Sequence, residues 1–227
     1  MGRSVGFAAI LAAGFFTLSC GAGGGNTGQL RFVQASSGQP ALNLVVDGKT
    51  QAFNLSYGNA TAYLTVKTGS RHVQAVPTVP PNSTKAVFDT AVPIASSANA
   101  TVLMTGPASG VKSVVLTDGG TAAVTGDGYV RVINASVNMG AADVYLISAG
   151  SSLSGAKAVA TNVGFDGNPG YKPVVAGDYE LIMTMPGTLS VLLDTGPINL
   201  TSGQNWTVVV LDGAAPGTFV FSAMQDQ

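Results

Sequence analysis

The chain has 227 residues, of which 46% are apolar and only 9% charged, with a formal net charge of −1. Nucleic acid is excluded as a partner, because phosphate binding needs clustered Lys and Arg and no such cluster occurs along the chain. Disorder is excluded as well, since it pairs high charge with low hydrophobicity, and with Cys20 the single cysteine an internal disulfide cannot form, so the fold must stand on its apolar core.

Arg3 supplies a short positive start, and residues 5–16 (VGFAAILAAGFF) form an apolar stretch of signal-peptide length, too short for a comfortable membrane span. Thr17-Leu18-Ser19-Cys20-Gly21 follows directly. A small residue before a cysteine at this place resembles a bacterial lipoprotein processing site, although Leu18 stands one place later than such sites prefer. Under that reading residues 1–20 are a lipoprotein-type signal segment cleaved before Cys20, which becomes the lipidated N-terminus, whose acyl chains hold a soluble body on a membrane. Plain secretion and an uncleaved anchor are the alternatives. Residues 21–28 (GAGGGNTG) form a Gly-rich, flexible tether.

Beyond the tether the chain repeats itself. LRFVQAS at 30–36 returns as VRVINAS at 130–136, and Asn43-Leu44-Val45-Val46 returns as Asp143-Val144-Tyr145-Leu146. Tyr63 then matches Tyr171, the run 69–73 matches 177–181, Asp89-Thr90 matches Asp194-Thr195, and residues 99–104 match 205–210. Order is kept while spacing drifts, as expected when strands are retained and loops change length. Each copy reads as short β-branched or aromatic runs, such as 42–46, 62–66, 73–76, 101–104 and 207–211, bounded by Gly, Pro, Asn or Asp. Asp47-Gly48 signals a tight hairpin turn, and Gly69 and Gly177 are expected at turns of positive φ. The expected fold is therefore all-β: two tandem Ig-like or related small β-sandwiches over 29–118 and 129–225, joined by a small-residue linker over 119–128.

The openings LRFVQAS with ALNLVVDG, and VRVINAS with ADVYLISAG, followed by LSYGNATAYLTVKTG and YKPVVAGDYELIM, resemble the bacterial domain-of-unknown-function family 4397 in two copies. The resemblance covers nearly all of 29–225. It implies a secreted or lipid-anchored surface module and supplies no reaction. Where the family often has His in the first strand motif, this chain has Gln34 and Asn134, and the Asp that often opens the second strand is Asn43 in one copy and Asp143 in the other.

Chemistry is sparse. His72 is the only histidine and its counterpart is Glu180, so general-base catalysis of the nucleophile–histidine–acid kind is not duplicated. No nucleophile elbow, phosphate loop or zincin motif occurs. Clustered metal ligands are missing too, so no cofactor is expected. Asp89 and Asp194 are expected to fix turns through backbone hydrogen bonds. Among the aromatics, Tyr57, Tyr63, Phe165, Tyr171, Tyr179 and Trp206 are candidates for a sugar or peptide platform, and Trp206, Tyr145 and Tyr57 are carried forward as the candidate recognition surface, with Cys20 as the lipidation site.

The reading that follows is a non-enzymatic envelope or cell-surface module that binds or spaces something. It would be held on a membrane through its N-terminal lipid, facing periplasm or exterior, with an envelope protein or glycan as partner. The alternatives are a carbohydrate-binding or adhesive protein and an extracytoplasmic enzyme of unfamiliar type.

Overall fold

The computed structural model describes residues 26–80, 84–119 and 126–227; Cys20, the leader and most of the tether lie outside the described residues. The described chain is all-β. The first eight strands are β1 (Thr27–Ser37), β2 (Leu42–Val46), β3 (Lys49–Leu55), β4 (Leu64–Lys67), β5 (Gly69–Pro77), β6 (Phe88–Ile94), β7 (Asn99–Pro107) and β8 (Lys112–Asp118). The next eight are β9 (Asp127–Asn134), β10 (Ala142–Ser148), β11 (Ala160–Val163), β12 (Lys172–Val175), β13 (Gly177–Thr184), β14 (Val191–Leu200), β15 (Asn205–Asp212) and β16 (Phe219–Asp226).

They form four sheets with the orders β4-β1-β7-β8 and β3-β2-β5-β6, then β12-β9-β15-β16 and β11-β10-β13-β14. The second pair of orders is the first shifted by eight strands, down to the parallel pairing of β1 with β7 and of β9 with β15. Each half is a sandwich. Leu30, Phe32, Leu44, Val73, Val92 and Val102 fill the first, and Val130, Val132, Val144, Leu181, Met183 and Val208 fill the second.

The alternation within β1 explains how the halves meet. Leu30 and Phe32 face the first sandwich's own core, whereas Val33 and Ala35 point the other way and are still fully buried. They join Leu103, Leu116, Ile133, Ala135, Val209 and Leu211 in a third apolar cluster drawn from both halves. The sheets containing β1 and β9 therefore pack face to face, and the molecule is four sheets deep. Strands covered on both faces need near-continuous apolar sequence, which is why LRFVQAS and VRVINAS lack polar alternation.

Local expectations meet the structure unevenly. Asp47 and Gly48 both take positive φ, at 48° and 76°, and close the two-residue β2–β3 hairpin as a left-handed turn of the primed type. Gly69 opens β5 at φ 94°. Gly177 opens β13 but is not among the residues of positive φ, so the matching expectation fails there.

Candidate functional site

Four polar pairs that recur in both halves converge on the seam. Arg31 lies on the seam face of β1, its side chain 3% exposed, and reaches the carboxylate of Asp226 at the end of β16. Arg131 on β9 repeats the contact in the other direction, with Nη2 2.5 Å from Asp118 Oδ1 at the end of β8. Each arginine also stands 3.8 Å from the aspartate of its own half. Two cations and two anions thus neutralise one another in a closed set, and both carboxylates are sealed from solvent.

The remaining donors and acceptors are matched pair by pair. Arg31 Nε donates to Thr101 Oγ1 at 2.9 Å, and Arg131 Nε donates to Thr207 Oγ1 at 3.1 Å. The hydroxyls of the two threonines in turn donate to Asp118 and Asp226. Arg31 Nη1 donates to the carbonyl of Gln225 and Arg131 Nη1 to that of Thr117. Tyr63 lies over the Arg31 guanidinium at 4.7 Å and Tyr171 over Arg131 at 4.5 Å, and each hydroxyl donates to its own half's aspartate at 2.7 Å. The two halves are thus related here by an approximate twofold. Burial pushes both hydroxyls well above the usual phenol range, and the neighbouring carboxylates add to it. The arrangement has no open face for a substrate and no free acid or base. Its chemistry is that of a fastener.

The other end of the seam is asymmetric. Tyr57 OH bonds the backbone of Asp212 across the halves, accepting from its N–H at 3.0 Å; burial followed by the Asp212 charge pushes the phenol up to about 12. Phe165, the counterpart of Tyr57, instead receives Lys112 over its ring at 4.9 Å. Asp212 ends β15 and clasps the turn that follows β9, accepting from Ser136 Oγ at 2.5 Å and from the amides of Val137 and Asn138 at 3.1 Å. The matching position on β7 is Gly106, where Gly110 O lies 2.5 Å from the place a Cβ would take. Without that carboxylate, Ser36 Oγ is buried with no hydrogen-bond partner.

The remaining polar positions singled out by sequence are structural in their contacts. Gln34 Oε1 and Asn134 Oδ1 each accept from the amide two residues on, at Ser36 and Ser136. Asn43 and Asp143 each hold the amide of a positive-φ asparagine, Asn54 and Asn162. Asp194 accepts from the Gly196 amide at 2.8 Å as expected of a turn-fixing residue, but Asp89 does not: its partners are the side chains of Gln74 and His72. Those two contacts, Gln74 foremost, hold the Asp89 carboxyl below its ordinary value. His72 Nε2 is 2.6 Å from Asp89 Oδ1 with both side chains about half exposed, and among the described residues no hydroxyl or thiol is hydrogen-bonded to the imidazole.

The candidate recognition residues are dispersed. Tyr57 is in the seam; Tyr145 is 8% exposed and packs with Ile147 and Ile182; Trp206 is half-buried against the second sandwich's core, its Nε1 donating to Gln204 Oε1. Of the six platform aromatics, four belong to the seam and two to the second core, and none is exposed. Sequence reasoning passed over Arg31, Arg131, Thr101, Thr207, Asp118 and Asp226. The signal was present: an arginine standing in an otherwise apolar strand, at the same place in both copies.

A family model described as Domain of unknown function (DUF4397) matches residues 28–145. No curated protein matches the chain. Among solved structures, the chain is similar to a streptococcal virulence factor that binds alpha-glucan, at 10% identity and a TM-score of 0.29, over 86% of this chain and 96% of that one. It is also similar to the fimbrial anchor protein Mfa2 from Porphyromonas gingivalis, at 10% identity and a TM-score of 0.28, over 88% and 97%. A cell adhesion protein of Bacteroides eggerthii, so described provisionally, gives 13% and 0.26 over 89% and 96%. Likeness at this level defines no shared site.

Proposed function

This chain belongs to the DUF4397 family, and from that premise we propose that it is a non-enzymatic module of the bacterial cell envelope, a rigid two-sandwich body with a binding or structural role. In this reading the second half is a further copy of the family domain, Cys20 carries the lipid that holds the body on a membrane, and the partner is an envelope protein or glycan.

One observation carries the proposal. Four polar pairs that recur in both halves, Arg31 with Arg131, Tyr63 with Tyr171, Thr101 with Thr207 and Asp118 with Asp226, are joined in one network that fixes one half against the other. Duplicated catalysis would instead keep reactive groups at an open cleft in each copy. A buried ionic network adds little net stability compared with apolar packing, but it penalises every misaligned arrangement of the faces. Rigid spacing is what such a network supplies.

Mass spectrometry of the protein taken from membranes tests the anchoring: an acylated Cys20, together with release of Cys20→Ala from the membrane fraction, is the expected result. A soluble wild-type chain with an unmodified cysteine would sink it. Crosslinking in an envelope fraction, followed by identification of the linked species, tests the binding role.

A further inference from the structure

Three cations from three different strands gather around one groove. Lys49 on β3, Lys67 on β4 and Arg71 on β5 line an open groove of about 430 Å³ at the edge of the first sandwich, together with Val46, Asp47, Gln51, Thr65 and Val66. Asp47 is the single acid in that lining, and it engages Arg71 at 2.9 Å. Lys49 and Lys67 form no ion pair among the described residues, and Arg71 Nε is a buried donor without a partner. On a chain that is only 9% charged, with two of its arginines sealed in the seam, this is a marked concentration of positive charge.

The second sandwich serves as an internal control. Where the first has Asp47, Lys67 and Arg71, the second has Ile147, Val175 and Tyr179 at the matching strand positions, and the same sheets form. The fold therefore does not need these charges. Their position is also specific. Lys67 pairs with Thr27, the first residue of β1, and the Thr68 amide bonds the carbonyl of Asn26, so the groove flanks the point where the chain enters from Cys20. The stretch from Cys20 to Thr27 spans at most about 25 Å when fully extended.

We propose that the Lys49–Lys67–Arg71 groove docks on the phosphate headgroups of an anionic membrane surface and orients the tethered body against it. The proposal rests on the reading of Cys20 as a membrane anchor. Charge complementarity selects the occupant: a juxtamembrane basic group gains from anionic lipid over a distance of about one Debye length, roughly 10 Å. A tether of this length lets the groove reach that range.

The test maps lysine acylation by mass spectrometry on the purified chain reconstituted on phosphatidylcholine vesicles with or without phosphatidylglycerol. Lys49 and Lys67 are expected to be protected about fivefold when phosphatidylglycerol is present, with Lys157 in the second half unchanged and the protection removed by high salt. Lys49→Glu/Lys67→Glu, expected to keep the wild-type melting temperature, should lose the salt-sensitive preference for phosphatidylglycerol vesicles. Equal labelling on both vesicles, or protection spread equally onto Lys157, would overturn the proposal. So would protection by inorganic phosphate with none from phosphatidylglycerol, which would assign the groove to a soluble anion. The same spectra report the mass of Cys20. A bare cysteine removes the anchor reading, while lipid-dependent protection of Lys49 and Lys67 still decides the groove.

Discussion

Arg31 and Asp226 meet across the seam with both side chains buried, although 195 residues separate them in sequence. Arg131 and Asp118 make the reciprocal contact. Replacing one arginine leaves a sealed carboxylate without its cross-seam cation, so Arg31→Met and Arg131→Met should each cost about 3–5 kcal/mol. The shift in urea midpoint at constant slope measures it. Replacing all four charged residues by apolar ones of similar volume should recover most of that loss. The seam would then lack its register, and crosslinks between engineered cysteine pairs across it should become heterogeneous.

Tyr63→Phe and Tyr171→Phe keep the ring over each guanidinium and remove only the hydroxyl bonded to Asp118 or Asp226. A hydrogen bond to a charged group is worth about 1.5–3 kcal/mol. Because the two sites share one network, the double variant should depart from additivity, which a double-mutant cycle by thermal unfolding will show.

Alkaline pH should open the seam. Tyr57 is pushed up to about 12 in the folded protein, against about 10 in an unfolded chain. The folded state therefore holds the phenol proton more tightly, and this contribution is fully present below pH 10 and lost as pH rises toward 12. Tyr63 and Tyr171 are raised as well and act in the same direction. The melting temperature should fall progressively above about pH 10, and less steeply in Tyr57→Phe.

Asp212→Ala removes the acceptor for Ser136 and for the amides of Val137 and Asn138. A cost of about 1–3 kcal/mol is expected, with faster hydrogen exchange confined to those two amides. The reverse experiment in the first half should fail. Gly106→Asp places a Cβ against Gly110 O at a φ of 85°, so it should destabilise the protein instead of completing the Ser36 turn.

The fold class was legible because its signals are local. Asp47-Gly48 closes a hairpin wherever it occurs, and runs such as 42–46 have one reading. The seam was not, because burial on both faces of a strand looks the same in sequence whether the second face meets another domain or its own sheet's neighbour. Arg31 and Arg131 carried the missing information: an arginine amid apolar residues must be matched by a carboxylate. The identity of that carboxylate depends on topology, and Asp118 and Asp226 read as ordinary strand-end residues. Tyr57, Tyr63, Phe165 and Tyr171 read as platform candidates for the same reason, since an interdomain face and a ligand face draw on the same residue types. The groove lined by Lys49, Lys67 and Arg71 was hidden because three different strands supply it.

The symmetry of the fastener in space is broken in time. Arg131 and Asp118 are 13 residues apart and can find each other as soon as β9 forms, whereas Arg31 and Asp226 close a loop of 195. The extra loop-closure entropy is about 2.4 kcal/mol. In a chain synthesised from its N-terminus, Arg31 remains hydrated on an unfinished face until β16 is laid down. The last contact to form is thus also the one that reports β16 in place, and a copy interrupted before β16 would expose an apolar sheet with Arg31 missing its cross-seam carboxylate at the centre.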